Sequence, residues 1–404
     1  MDRQNQDLQS AVSRDDLQAV KCLLQQCDDI NHPDPNGNTP LHLAAQLGNK
    51  DIVDFLINHG ADVEKENEDG QTPLHLVPSY GNLEANKVIL EHGGNMYKED
   101  NKGFCPLLNA VKNDQIDVVR YFISQGACVN KVNSKGWTPL YIAAGWGRID
   151  MLKYLISEGA DVHCTHANNL VPMSNASSFG YVEVVKYLVS QGAEVNKGGV
   201  DGQTALLSAA QNGHLDVTRY LIYRGADVNM VDDNGNSALC ESAFNGHIEV
   251  TKYLISQRAE VNKGDNEGST PLILAAQEGH LVTCEYLISQ GGDVNKKVNN
   301  GLTAIHSAAL KGHLHVTRYL ISQGAKVNRV DDNGYSALST SALYGHTEVT
   351  KYLISQGAEV NKGGNEGWAP LHLAAQEGHL DICEHLISKG AELLKKVIWI
   401  YVNI

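Results

Sequence analysis

One interval governs this chain. A tetrapeptide close to Thr-Pro-Leu-His begins at Thr39, Thr72, Cys105, Thr138, Val171, Thr204, Ser237, Thr270, Thr303, Ser336 and Ala369, and each start lies 33 residues after the one before, with no insertion or deletion. One interval before Thr39, the stretch DLQSAVSRDDLQAVKCLL keeps the hydrophobic spacing but not the tetrapeptide. Residues 1–33 therefore read as a degenerate N-terminal capping unit, residues 34–393 as eleven repeats, and residues 394–404 as a divergent apolar tail. A fixed period of this length restricts the fold severely. Each unit is one supersecondary piece that cannot bury its apolar face alone, and stacking on its neighbours supplies the missing cover. A 404-residue chain of another kind would usually divide into two or three globular domains.

A second period lies above the first. The unit SALCESAFNGHIEVTKYLISQRAEVNKGDNEG, from Ser237, is nearly repeated as SALSTSALYGHTEVTKYLISQGAEVNKGGNEG, from Ser336, 99 residues later. The units at Thr204 and Thr270 are likewise similar to those at Thr303 and Ala369. Copying a block of three units lengthens a surface and does nothing evident for an active site.

The unit TALLSAAQNGHLDVTRYLIYRGADVNMVDDNG, from Thr204 to Gly235, shows why each copy takes one shape. Thr204 suits a helix N-cap, because its hydroxyl can accept an orphan amide of the first turn. Sister units follow the cap with proline, as at Pro40, Pro73 and Pro139, where no hydrogen bond is lost. Leu206, Ala209 and Ala210 recur at helical spacing, and small alanines admit the next unit closely. Gly213 ends this helix in the left-handed conformation. His214 starts the turn into a second helix, which Val217, Leu221 and Ile222 stripe with apolar side chains. Gly225 closes it, Val228 and Asn229 begin an extended arm, and DDNG supplies a tight turn. Helices this short are marginal alone in water.

From Asn36 to about Leu393 these strings resemble the ankyrin repeat family, whose signature runs turn glycine, T-P-L-H, A-A, G-H, a Val/Leu helix, G-A and V-N. The resemblance implies an all-α repeat solenoid of stacked helix-turn-helix units with short β-hairpin turns, curved with a concave groove. It further implies recognition of partner proteins by the turn tips and inner helices. The variable contact positions of the family lie just before T-P-L-H and at the end of the first helix. Here the aromatic residues at those positions form two groups. Phe104, Trp137, Trp146 and Phe179 span three adjacent units, with Lys135 beside them, and Tyr335, Tyr344 and Trp368 span two. Tyr80 and Phe244 stand apart. Exposed large aromatics are the usual anchors of binding surfaces, so these residues are the expected partner-binding site.

Charge narrows the partner class. The chain has 32 Lys and Arg against 47 Asp and Glu, a net charge of −15. An acidic chain repels phosphate backbones and anionic membrane surfaces, which disfavours nucleic acid. A protein partner with a basic or neutral surface is expected instead, met by a monomer. MDRQNQDLQSAV contains no apolar run of the signal-peptide kind, and no stretch has the length of a membrane span. Eight cysteines without a CxxC pair read as reduced thiols, which places the chain in the cytoplasm.

Catalytic and metal chemistry find little support. Of the 17 histidines, His42, His75, His306 and His372 occupy the T-P-L-H position, and His214, His247, His280, His313, His346 and His379 the G-H position. A residue that recurs with the period has a role that recurs with it, here the hydrogen bonding of loops. The string HCTH, at His163, Cys164 and His166, lacks the further ligands zinc requires. Neither a phosphate-binding G-x-x-x-x-G-K-[ST] nor a G-x-S-x-G elbow occurs. No cofactor and no enzymatic activity are therefore expected. The reading that follows is a protein-interaction scaffold. The alternative is a recognition arm of a larger kinase, ubiquitin ligase adaptor or membrane channel.

Some units depart from the pattern. The first helix from Val171 carries Ser174, Asn175, Ser177 and Ser178, all poor helix formers, and Asn169 replaces its turn glycine. Pro78 falls late in the first helix from Thr72, and Arg258 stands where other units place a helix-ending glycine. The tail LLKKVIWIYVNI replaces an expected V-N arm and is apolar and β-prone. Gln4, Asn5, Gln6, Asp7, Gln9 and Arg14 suit a solvated cap.

Overall fold

The computed structural model describes residues 2–77, 81–163 and 171–392. Pro78, Tyr80, Cys164, His166, Asn169 and the tail from residue 393 lie outside the described residues. Among the described residues there are twenty-four α-helices, two to each unit.

Each unit is built as its side chains dictate. Thr204 Oγ1 accepts the Leu207 amide at 3.2 Å and starts the helix Ala205–Gln211. Thr138, Ser237, Thr270 and Ser336 cap in the same way. At Thr39 the imidazole of His42 adds a second bond, its Nδ1 lying 3.1 Å from the Thr39 amide. Leu206, Ala209 and Ala210 are buried, and Gly213 has φ +76°. The second helix, Leu215–Tyr223, buries Val217, Thr218 and Leu221, whereas Ile222 is only half-buried. Thr218 takes the expected place of an apolar residue because its hydroxyl donates to the His214 carbonyl at 3.0 Å and so enters the core satisfied.

The chain divides into two compact units, residues 1–194 and 195–404. In the second, Ala205–Gln211, Ala238–Phe244, Pro271–Gln277, Ala304–Leu310, Ala337–Leu343 and Pro370–Gln376 pack side by side in one layer, and the second helices pack behind them. The first unit repeats this two-layer arrangement from Asp2–Ser13 to Pro172–Ser178. Its N-terminal helix pair buries Leu8, Ala11, Val12 and Val20. Asn5, expected on a solvated surface, is buried instead and accepts the Cys27 thiol at 3.1 Å.

Three kinds of periodic link join one repeat to the next. The arm asparagine reaches forward: Asn262 Nδ2 donates to the Gly291 carbonyl at 2.9 Å while its Oδ1 accepts the Asp293 amide at 2.7 Å. Asn295, Asn328 and Asn361 do the same. The G-H histidine reaches backward, as in His346 Nε2 to the Leu310 carbonyl at 2.8 Å and His313 Nε2 to the Gln277 carbonyl at 3.0 Å. The loop role expected of these histidines is therefore also a link between repeats. Successive turn tips share one backbone bond, such as Asn266 N–H to the Asn234 carbonyl at 2.9 Å.

The turns are leaner than full hairpins. Among the described residues the β pairing is confined to isolated bridges, Val231 with Ser237 and Val330 with Ser336. A carboxylate closes the turn instead: Asp232 Oδ1 accepts the Asn234 and Asn236 amides at 2.9 and 2.7 Å. The serine-rich segment from Val171 still forms the helix Pro172–Ser178, although Ser177 Oγ is buried without a hydrogen-bond partner among the described residues. Arg258 has φ +70°, a left-handed conformation that favours glycine.

Candidate aromatic binding site

The first aromatic group converges. Asp100 Oδ1 accepts the Phe104 amide at 2.8 Å, and Asn133 Oδ1 accepts the Trp137 amide at 2.7 Å, so each ring leaves a turn braced from within. The two rings meet with centroids 5.1 Å apart, tilted by 49°. Trp146 follows the helix Pro139–Gly145, its amide donating to the Ile142 carbonyl at 3.0 Å. Phe179 occupies the same position one unit later, and both rings are open to solvent, at 43% and 58% exposure.

Lysines thread between these rings. The Lys112 ammonium lies 4.8 Å from the Phe104 centroid and 4.6 Å from that of Trp146, bridging two units by cation–π contacts. Lys135 Nζ lies 5.0 Å from the Trp137 ring and donates to the Lys102 carbonyl. Behind the rings opens a cleft of about 390 Å³, walled by Phe104, Trp137, Trp146, Phe179, Tyr141 and Tyr181, with Ile142, Gly145 and Asn175 at its floor. Phe179 and Tyr181 stack with centroids 6.3 Å apart. Asn175 Nδ2 donates to the Tyr141 carbonyl at 3.0 Å and ties the floor to the preceding helix. Burial raises the Tyr141 phenol above its ordinary range, so that it is a neutral hydroxyl at physiological pH.

Two contributors are not singled out by the sequence reading of the site: Tyr141 and Tyr181. The tyrosines carry a legible signal. Tyr141 replaces histidine in T-P-L-H and Tyr181 replaces it in G-H, in adjoining units that already hold the aromatic group. At the same G-H position Arg148 donates from Nε to the Lys112 carbonyl at 2.9 Å.

The second aromatic group is placed differently. Tyr335 is half-buried and its ring lies against Gly364 in the next turn. Trp368 meets the ring of His372 edge-on at 6.0 Å, within its own unit. Tyr344 is the open member, at 55% exposure. Two of the three rings thus serve local packing, and the convergence seen around Trp146 has no counterpart in these contacts.

Elsewhere, His163 Nδ1 of the HCTH string lies 3.9 Å from a Glu194 carboxylate oxygen. Among the described residues no three His, Cys, Asp or Glu side chains are grouped to hold a metal ion, and no helix is long and apolar enough to cross a membrane. Cys105, Cys240 and Cys284 are buried free thiols, with Cys284 pushed up to about 12 by burial. Such thiols are poor nucleophiles.

No curated protein matches the chain. A family model for ankyrin repeats, three copies in length, matches residues 8–100, 79–166, 150–232, 173–265, 224–298, 257–331 and 324–397. With the period, the capped helix pairs and nearly the whole length matched, the chain belongs to the ankyrin repeat family.

Proposed function

We propose that this chain is a non-catalytic, cytoplasmic, monomeric scaffold that binds a partner protein, and that the aromatic cleft between Phe104 and Tyr181 is the energetic centre of the contact. Ankyrin repeats mediate protein–protein interaction. The observation that carries the location is the pair of solvent-open rings, Trp146 and Phe179, set at one position of successive units around an apolar cleft. Rigid aromatics offer large contact area at small entropic cost, and interface hot spots favour tryptophan and tyrosine. The net charge of −15 supports a partner that is basic or neutral overall.

The test is a quantitative pull-down with the full chain and a Trp137→Ala/Trp146→Ala variant, each checked for helicity. Hot-spot truncations cost about 2–4 kcal/mol each, so the double variant should lose its partner while keeping its circular dichroism. A variant that retained both fold and affinity would remove the cleft from the interface.

A further inference from the structure

The second unit contains a cavity of different chemistry. About 260 Å³ opens beside the helix Ala238–Phe244, walled by Gln211, Asn236, Glu241, Phe244 and Asn245. Glu241 is the only acid at its position in the period. Other units place Leu43, Asn109, Ile142, Ser208, Leu274 or Thr340 there. The side chain is half-buried, and burial together with the neighbouring charge of Asp232 holds its carboxyl above the usual range. No cation contributes to its surroundings among the described residues. Asp232 is committed to its own turn, accepting the Asn234 and Asn236 amides and, through Oδ2, the Asn236 side chain at 3.2 Å. Phe244 is 38% exposed, and its backbone is held by His280 Nε2, which donates to the Phe244 carbonyl at 2.9 Å.

A desolvated carboxylate with no cation has paid for burial without a Coulombic return. A guanidinium would supply it, since it donates two parallel N–H bonds to a carboxylate and lays its flat face on an aromatic ring. Asn236 and Asn245 add amide oxygens as further acceptors among the lining residues, whereas Gln211 Oε1 already accepts Gln203 Nε2 at 3.5 Å. The copied unit 99 residues on keeps the turn carboxylate as Asp331 but lacks the rest of this arrangement: Thr340 stands for Glu241, Leu343 for Phe244 and Tyr344 for Asn245. There the Thr340 hydroxyl simply donates to the Ser336 carbonyl of its own helix at 3.1 Å. The framework thus folds without a carboxylate at this position.

We propose that the Glu241 cavity is a second binding site, which takes an arginine side chain of a protein partner, the guanidinium paired to Glu241 and laid against Phe244. The site does not depend on the aromatic cleft of the first unit.

The test uses the full chain labelled with para-fluorophenylalanine, the Phe244 fluorine signal being assigned as the one lost in Phe244→Leu. The probes are N-acetylarginine amide and its neutral isostere N-acetylcitrulline amide. The arginine probe should move the Phe244 signal saturably and the citrulline probe should leave it in place. In Glu241→Thr, which installs the residue of the sister unit, the half-saturating concentration should rise about tenfold or more, with the remaining fluorine signals unchanged. Glu241→Gln supplies the same comparison with side-chain volume kept. An arginine probe that causes no saturable shift, or one that acts equally on the variants or no better than citrulline, would overturn the proposal.

Discussion

Replacing Gly312 by alanine should cost far more than replacing Gly324, although both lie in one repeat at positive φ, +76° and +89°. An L-residue in the left-handed region costs about 1–2 kcal/mol, and both variants bear that cost. Their surroundings differ. A Cβ on Gly324 meets nothing within 4 Å, whereas one on Gly312 would lie 2.5 Å from Nδ1 of His346, in the following repeat. That ring cannot give way freely, because its Nε2 is bonded to the Leu310 carbonyl at 2.8 Å. Displacing it forfeits a hydrogen bond of about 0.5–1.5 kcal/mol and opens the junction between repeats. The total for Gly312→Ala is therefore about 1.5–3.5 kcal/mol, against about 1–2 for Gly324→Ala. A repeat array need not unfold in one step, so a melting temperature is a poor readout. Native-state hydrogen exchange of the helices Ala304–Leu310 and Thr347–Ser355 reports the junction directly. At 1.4 kcal/mol per factor of ten, protection there should fall about tenfold in Gly324→Ala and about a hundredfold in Gly312→Ala. Equal losses in the two variants would show that the histidine link contributes nothing and would refute the reasoning.

Arg258→Gly should act in the opposite direction. Arg258 holds φ +70°, so glycine relieves about 1 kcal/mol, and amides of the helix Ile248–Ser256 should gain several-fold protection. A pH series from 7.5 to 5 should show a further trend. Burial lowers the pKa of His42, His75 and His306, partly offset by backbone acceptors and nearby carboxylates, so the folded chain binds fewer protons than the unfolded chain below about 6.5. Stability contributed by the neutral rings is complete above that pH, falls as pH drops through it, and levels off below the folded-state pKa. Urea titrations that give the same stability at pH 7.5 and 5.5 would contradict this.

Much of the fold could be read directly from the sequence because each framework residue solves a local problem. Thr204 caps, Gly213 turns left-handed and Leu206 faces inward for reasons contained within a few residues. The links between repeats were less legible. That His346 reaches a carbonyl 36 residues back, or that Asn262 grips the next arm from both ends, depends on how neighbours stack. Asn5 misled for the same reason: its polarity suggested solvent, but Cys27 supplies a partner inside. The candidate site divided likewise. Periodicity marked the positions of Trp137 and Trp146, yet it offered no means of telling that Lys112 would lie between Phe104 and Trp146, or that Trp368 would instead pack on His372.

The duplicated block shows where the specificity of such a chain is carried. The helices Ile248–Ser256 and Thr347–Ser355 differ only at their first residue, and the arm EVNKG is the same in both copies. In the first helices and the turns just after them, by contrast, Cys240, Glu241, Phe244 and Asn245 face Ser339, Thr340, Leu343 and Tyr344. The capping Ser237 and the buried Ala238, Leu239, Ser242 and Ala243 recur unchanged as Ser336, Ala337, Leu338, Ser341 and Ala342, down to the Ser–Thr hydroxyl pairs at 3.0 and 2.9 Å. Packing holds the framework fixed because a repeat that altered it would lose both neighbours at once. Positions between two frameworks are released from that constraint and can diverge in charge and shape without cost to folding. A partner that distinguishes the two copies at their first helices therefore reads Glu241, Phe244 and Asn245 against Thr340, Leu343 and Tyr344, and exchanging those three side chains between the copies should move its binding from one to the other.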